Sequence, residues 1–250
     1  NSQFFSDVYQ CNKTDGSWST PLNIGKHINT GLNDHTAGIS YDGQTLFIYR
    51  EKYETASGNI FVSYYQDGTW AAPEKFGLNT ITTDLNSNYT ELSACISPDQ
   101  QIIYFSSDRP GGYGGFDLYK IQKLPTGEWG LAINLGETVN TLYNENYPFI
   151  RSDGISLYFS SQGHNSMGGF DLFKTTITDS TGWDKPTNLG YPVNSTCDDI
   201  SYFKNPGENL FYFASSRPGG LGGLDIYEAE IPNNYPITLM SGYINIEDTS

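Results

Sequence analysis

The stretch YFSSDRPGGYGGFDLYK, from Tyr104 to Lys120, decides the fold. It recurs as YFSSQGHNSMGGFDLFK from Tyr158 to Lys174 and as YFASSRPGGLGGLDIYE from Tyr212 to Glu228, each copy starting 54 residues after the one before. A fixed period of that size marks a repeated supersecondary unit. Within the unit, YFSS is the end of an apolar strand. The glycine-rich segment permits positive φ and close backbone approach, so it reads as a turn. FDLYK then alternates, with Phe116 and Leu118 on one face and Asp117 and Tyr119 on the other.

Composition agrees with this pattern. Aromatic residues make up 15% of the 250, with 27 Gly and 12 Pro, which suits many short strands joined by tight turns. No stretch shows apolar spacing of 3.6 over two turns, so almost no helix is expected. No apolar run is long enough for a membrane-spanning helix. The formal charge of −15 argues against nucleic acid, whose phosphates need a basic patch, and equally against anionic lipid. Cys11, Cys95 and Cys197 are odd in number and lack CxxC spacing, so they read as small packing residues rather than a zinc site or disulfide framework. There is no N-terminal signal pattern, and Asn1 is not an initiator Met, which favours a processed or trimmed chain.

Taken in order, residues 1–25 read as the tail of a unit, because SDVYQCN at Ser6 resembles FDLYKIQ and DGSWSTPLNIG at Asp15 resembles TGEWGLAINLG at Thr126. Units follow at about 26–77, 78–136, 137–190 and 191–231. The first of these carries an Asp42-Gly43 hairpin turn but has Ser57-Gly58-Asn59 where the others have glycine pairs. Trp18, Trp70, Trp129 and Trp183 sit at one place in successive units. Four strands and roughly 50 residues per unit match a β-propeller blade. The expected fold is all-β: a propeller of four-stranded blades, five with the first incomplete. The alternative is a four-bladed ring closed by the N-terminal strand. Residues 232–250 read as a linker and the first strand of a further domain.

The motifs W-x-x-P-x-N-L-G, V-N-T/S, N-E-x-x-P, S-x-D-G, L-Y-F-S-S and R-P-G-G-x-G-G-x-D-I-Y resemble the TolB-type, WD40-like propeller repeat. They are carried by Trp183 to Gly190, Asn140-Thr141, Asn144-Glu145, Pro148, Ser152 to Gly154, Leu157 to Ser161 and Arg217 to Tyr227. The resemblance covers about 6–231 and is strongest to OmpA-family cell-envelope proteins of Bacteroidetes. It implies a periplasmic, outer-membrane-associated scaffold of the type IX secretion and gliding kind. It further implies that 232–250 opens a carboxypeptidase-regulatory-like β domain, with peptidoglycan reached only through flanking domains.

The residues themselves offer few reagents for catalysis. His27, His35 and His164 are the only histidines, and GxSxG, HExxH and SxxK are absent. No GxxxxGK[ST] makes a phosphate loop. Asp117, Asp171 and Asp225 share one repeat position. They are the candidate ligands for calcium, but an aspartate beside a turn most often accepts local backbone N–H bonds. Arg109 and Arg217 precede Pro-Gly-Gly and are expected to pair with carboxylates of neighbouring blades. In one unit Gln162-Gly163-His164 stands there instead, which makes His164 the most individual polar residue of its rim. The sequons at Asn12, Asn88 and Asn194 read as products of Asn-rich turns. The expectation is a non-enzymatic, cofactor-free platform that binds envelope proteins. Its partner-binding candidates are Lys52, Tyr53, Asn86, Arg109, His164, Asn165 and Arg217, and the loops around Lys52 to Asn59, Asn79 to Asn88 and Gln162 to Met167 stand out because they depart from the repeat. Two alternatives remain: a glycan- or peptidoglycan-binding module, and a hydrolase with acidic channel residues.

Overall fold

Antiparallel strands joined by tight turns satisfy their backbone groups locally, and each repeat folds as such a meander. The computed structural model describes residues 6–52, 55–77, 85–178, 182–205 and 209–230, with the side chains of 52, 55 and 56 excepted. The segment 232–250 and Tyr53 therefore lie outside the described residues. Among these residues there is no helix, and four small antiparallel sheets form a four-bladed β-propeller.

The first blade runs Asp34–Ile39, Thr45–Lys52, Thr55–Gln66 and Glu74–Lys75, ordered from the channel outwards. The second is Glu91–Ile96, Ile102–Ser107, Asp117–Gln122 and Ile133–Asn134. The third is Glu145–Ile150, Ser156–Ser161, Asp171–Thr178 and Thr187–Asn188. The fourth contains Asp199–Phe203, Leu210–Ser215 and Asp225–Glu230. Ahead of them, Tyr9–Gln10 pairs with Leu22–Asn23 and Lys13–Thr14 with Ser17–Trp18, in the manner of the two outer strands of a blade. Inner strands pack first to second, second to third and third to fourth.

Because strand residues alternate, each blade has two apolar faces, and the cores lie between blades rather than within them. Phe47, Tyr49 and Ile60 of the first blade meet Ile103, Phe105 and Ile121 of the second. Cys95, Tyr104 and Leu118 of the second meet Ile150, Leu157 and Phe159 of the third. Phe149, Tyr158 and Leu172 of the third meet Tyr202, Phe211 and Phe213 of the fourth, with Tyr158 and Tyr202 stacked 3.9 Å apart. Val8 of the N-terminal strands joins Ile28, Leu46 and Ile48 of the first blade. Of the cysteines, Cys95 is buried as the sequence suggested, Cys197 is half-buried, and Cys11 is exposed and takes no part in packing.

The glycine-rich turn is needed where blades meet. A Cβ on Gly114 would overlap the carbonyl oxygen of Tyr143 in the next connector, and one on Gly168 would overlap the backbone of Thr196. At the equivalent Gly222 of the fourth blade a Cβ meets nothing within 4 Å. Gly114→Ala should therefore cost about 1–3 kcal/mol through overpacking. Gly222→Ala should stay within about 0.5 kcal/mol. Urea unfolding of both variants checks this, and equal losses would remove the distinction between the two turns.

Candidate functional site

The turn after the second strand and the connector before the inner strand fall at the same end of an antiparallel meander. They meet across blades, where the N–H of Gly115 donates to the carbonyl of Tyr143 at 3.0 Å. This glycine-turn face carries Asn86, Arg109, His164, Asn165 and Arg217, and also the backbone of Lys52.

Most of these candidates spend their polar atoms on the protein itself. Each blade buries one carboxylate at the start of its inner strand: Asp34, Glu91, Glu145 and Asp199. Arg50 pairs with Asp34 at 2.5 Å, Arg109 with Glu91 at 3.2 Å and Arg217 with Asp199 at 2.6 Å. The pairing lies within a blade, not between blades as the sequence suggested. The arginine reaches its own inner strand because both stand at the same end of adjacent strands. The same guanidinium groups donate to the carbonyls of Ile28, Leu85 and Val193 in the connectors. Arg109 also lies over the Phe105 and Tyr119 rings, and Arg217 over Phe213 and Tyr227.

His164 takes the arginine's place in the third blade. Its Nε2 lies 2.9 Å from the carbonyl oxygen of Val139, the counterpart of Leu85 and Val193. Its ring packs on Phe159 and Phe173. Glu145 then relies on neutral donors: the Thr141 N–H at 2.8 Å, the Thr141 hydroxyl at 2.7 Å and the Ser161 hydroxyl at 2.6 Å. Burial pushes the carboxyls of Glu91 and Glu145 above their ordinary value, while the donors pull them down.

Asn86 is also structural. Its Oδ1 accepts the Ile60 N–H and its Nδ2 donates to the Ile60 carbonyl. Asn29 does the same for Val8, Asn140 for Leu118 and Asn194 for Leu172. Sequence reading saw Asn140 as part of V-N-T/S without a role and took Asn86 for a partner-binding candidate. Asn194, in a sequon, is fully buried. Asn165 is exposed, and its carbonyl accepts from Asn188.

The calcium candidates sit one to a blade. Asp117 accepts the N–H groups of Tyr113 and Gly114 and the Asn134 amide. Asp171 accepts the Met167 N–H and the Asn188 amide. Asp225 accepts from Leu221 and Gly222. Among the described residues no three His, Cys, Asp or Glu side chains converge as metal ligands would. The first residues of the Asn33-Asp34, Asn144-Glu145 and Asp198-Asp199 pairs are inter-blade latches. Asn33 accepts the Ser6 N–H, Asn144 that of Phe116 and Asp198 that of Phe170.

The glycine-turn face also exposes large apolar side chains, namely Tyr89, Tyr113, Leu142, Tyr143, Met167 and Tyr191. Of these only Met167 falls in a loop that the sequence singled out; repeat reading missed the others because their identities vary from unit to unit. Their shared signal is position: each lies in a glycine turn or a connector.

No protein-family model matches the sequence, and neither does any curated protein. Solved propellers do match in fold. TolB from Acinetobacter baumannii superposes with a TM-score of 0.50 at 14% identity, over 89% of this chain and 46% of that one. This chain thus spans under half the length of that protein. A putative TolB from Agrobacterium tumefaciens gives 0.51 at 15% identity, over 89% and 70%. A glycoside hydrolase gives 0.60 at 9% identity, over 94% and 81%. The chain has the fold of TolB-type propellers, which glycoside hydrolases share.

The raised carboxyls set a pH test. Native Glu145 holds its proton more tightly than the unfolded chain does. Its stabilising share is therefore full below 4.5, the ordinary value, and is lost as pH climbs through the folded value. Glu145→Gln keeps the shape and removes the charge. The stability lead of the parent protein over Glu145→Gln should shrink as pH rises above 4.5 in urea unfolding. A lead that widens with pH would contradict the burial argument.

Proposed function

We propose that this propeller is a non-enzymatic platform for protein partners and that its glycine-turn face is the docking surface. The observation that carries the reading is the concentration of exposed Tyr and Leu side chains on that face, with Leu142 82% and Tyr143 61% exposed. Aromatic side chains on a rigid frame are the usual anchors of protein interfaces. The four repeat carboxylates beneath this face support the same reading. They are at most 1% exposed, and their oxygens already accept N–H, hydroxyl or guanidinium donors. A glycosidase needs a carboxyl pair open to sugar and water.

The setting we infer is the bacterial periplasm at the outer membrane, within a secretion or motility assembly. The repeat motifs support it through their resemblance to envelope proteins, and the strong negative charge suits a soluble partner better than a lipid surface.

Immobilised protein, challenged with a bacterial outer-membrane extract, should retain defined proteins through this face. Leu142→Glu with Tyr143→Glu should cut the retained amount about tenfold or more, since losing a central anchor costs about 2 kcal/mol. Ile155→Glu and Leu124→Glu, on the opposite end, should leave it unchanged. Retention on insoluble peptidoglycan alone would favour the glycan-binding reading. Glycoside turnover abolished by a single carboxylate change would replace the proposal with an enzyme.

A further inference from the structure

Five residues occupy the same place in the third strand: Val8, Ile60, Leu118, Leu172 and Ile226. The first four are buried at 0–7% exposure, and an asparagine from the next connector takes both their N–H and their carbonyl. Ile226 is 81% exposed. Two residues earlier, Ser6, Phe116 and Phe170 donate to an Asn or Asp side chain of the next connector and accept the N–H of its first strand residue. Their counterpart Leu224 is 52% exposed. Among the described residues the N–H and carbonyl groups of Leu224 and Ile226 meet no partner.

The outer part of this seam is already built. Trp18 meets Tyr212 edge-on at 5.8 Å, as Trp183 meets Tyr104 at 5.9 Å. Lys13 pairs with Glu228 at 2.5 Å. The N-terminal strands thus stand beyond the fourth blade as the third blade stands beyond the second. The inner part is open. A hollow of about 630 Å³ lies between Trp18 and Ile226, and one of about 400 Å³ lies between Val8 and Leu46.

We propose that this seam is the seat of a β-hairpin of the repeat's own class: the inner and second strands of a fifth blade, leading into Ser6. The argument is continuity with four formed interfaces. Each covers the third-strand apolar residue with a connector asparagine followed by an aromatic hairpin. The fourth blade keeps the matching surface, down to Gly222, whose open side is the space a connector backbone takes at Gly114 and Gly168. An unpaired strand edge beside an apolar face is a site for strand addition.

The test replaces residues 1–6 with a second copy of residues 137–170, which ends on the Phe170 that precedes Asp171 as Ser6 precedes Asp7. Hydrogen exchange at Leu224 and Ile226 should slow by about tenfold or more relative to the parent chain. The melting temperature should rise by about 5 °C or more. Gly222→Ala, neutral in the parent chain, should cancel both gains. Should the fused chain not fold, the 137–170 peptide added in trans gives the second readout, protection at Ile226. Exchange unchanged by both fused and added hairpin overturns the proposal. So does protection already present in the parent chain, whether lost on deleting 231–250, which makes the C-terminal segment the occupant, or lost on dilution, which makes a second copy the occupant.

Discussion

Everything in this propeller depends on satisfying backbone groups across the seams. A meander leaves the third strand with an N–H and a carbonyl that its own sheet does not use. Burying them unpaired would cost about 1–3 kcal/mol each. Asn29, Asn86, Asn140 and Asn194 solve this with one side chain, whose amide donates and accepts at once. Asparagine suits the task because aspartate has no donor and a longer glutamine would need more room. The clamp brings the connector against the third strand, and the apolar faces then close beneath it.

The buried carboxylates work one step further out. Asp34, Glu91, Glu145 and Asp199 tie the connector to the inner strand by accepting from residues four positions earlier, such as Thr30, Thr141 and Ser195. Three of them are neutralised by an arginine that also holds a connector carbonyl. The third blade shows which part of that arrangement is dispensable. His164 keeps the carbonyl contact and the aromatic packing but gives up the close ion pair, and Glu145 stays buried on hydroxyl and N–H donors. Carboxylates so engaged hold a frame together.

The period, the turns and the apolar alternation were legible because they are local. Tyr104, Leu118 and Asp117 stand in fixed register with their own hairpin, so their roles follow from spacing. What spans a seam was not legible. The asparagine in V-N-T/S has no sequence mark that separates a clamp from an ordinary turn residue. The arginine's partner is likewise fixed by strand adjacency. Arg109 and Glu91 are 18 positions apart and meet only once Glu91 and Ser107 pair. The exposed Tyr143 and Leu142 were hidden for the opposite reason, since residues that vary between repeats carry no periodic signal.

The fourth blade separates what the repeat encodes from what the surroundings supply. Its third strand reads LDIYE where the second and third blades read FDLYK and FDLFK, with the apolar residue kept at position 226. Its turn keeps Asp225 accepting from Leu221 and Gly222, just as Asp117 accepts from Tyr113 and Gly114. The local geometry is therefore the same whether or not a neighbour stands against it. Only the solvent exposure differs, and burial accounts for about 25 cal/mol per Å² of apolar surface. The unit folds from its own turn chemistry, while its stability comes mainly from the blade that follows. A disc built this way is held at each seam by the next connector, and an apolar third strand without one marks a seam shaped to receive it.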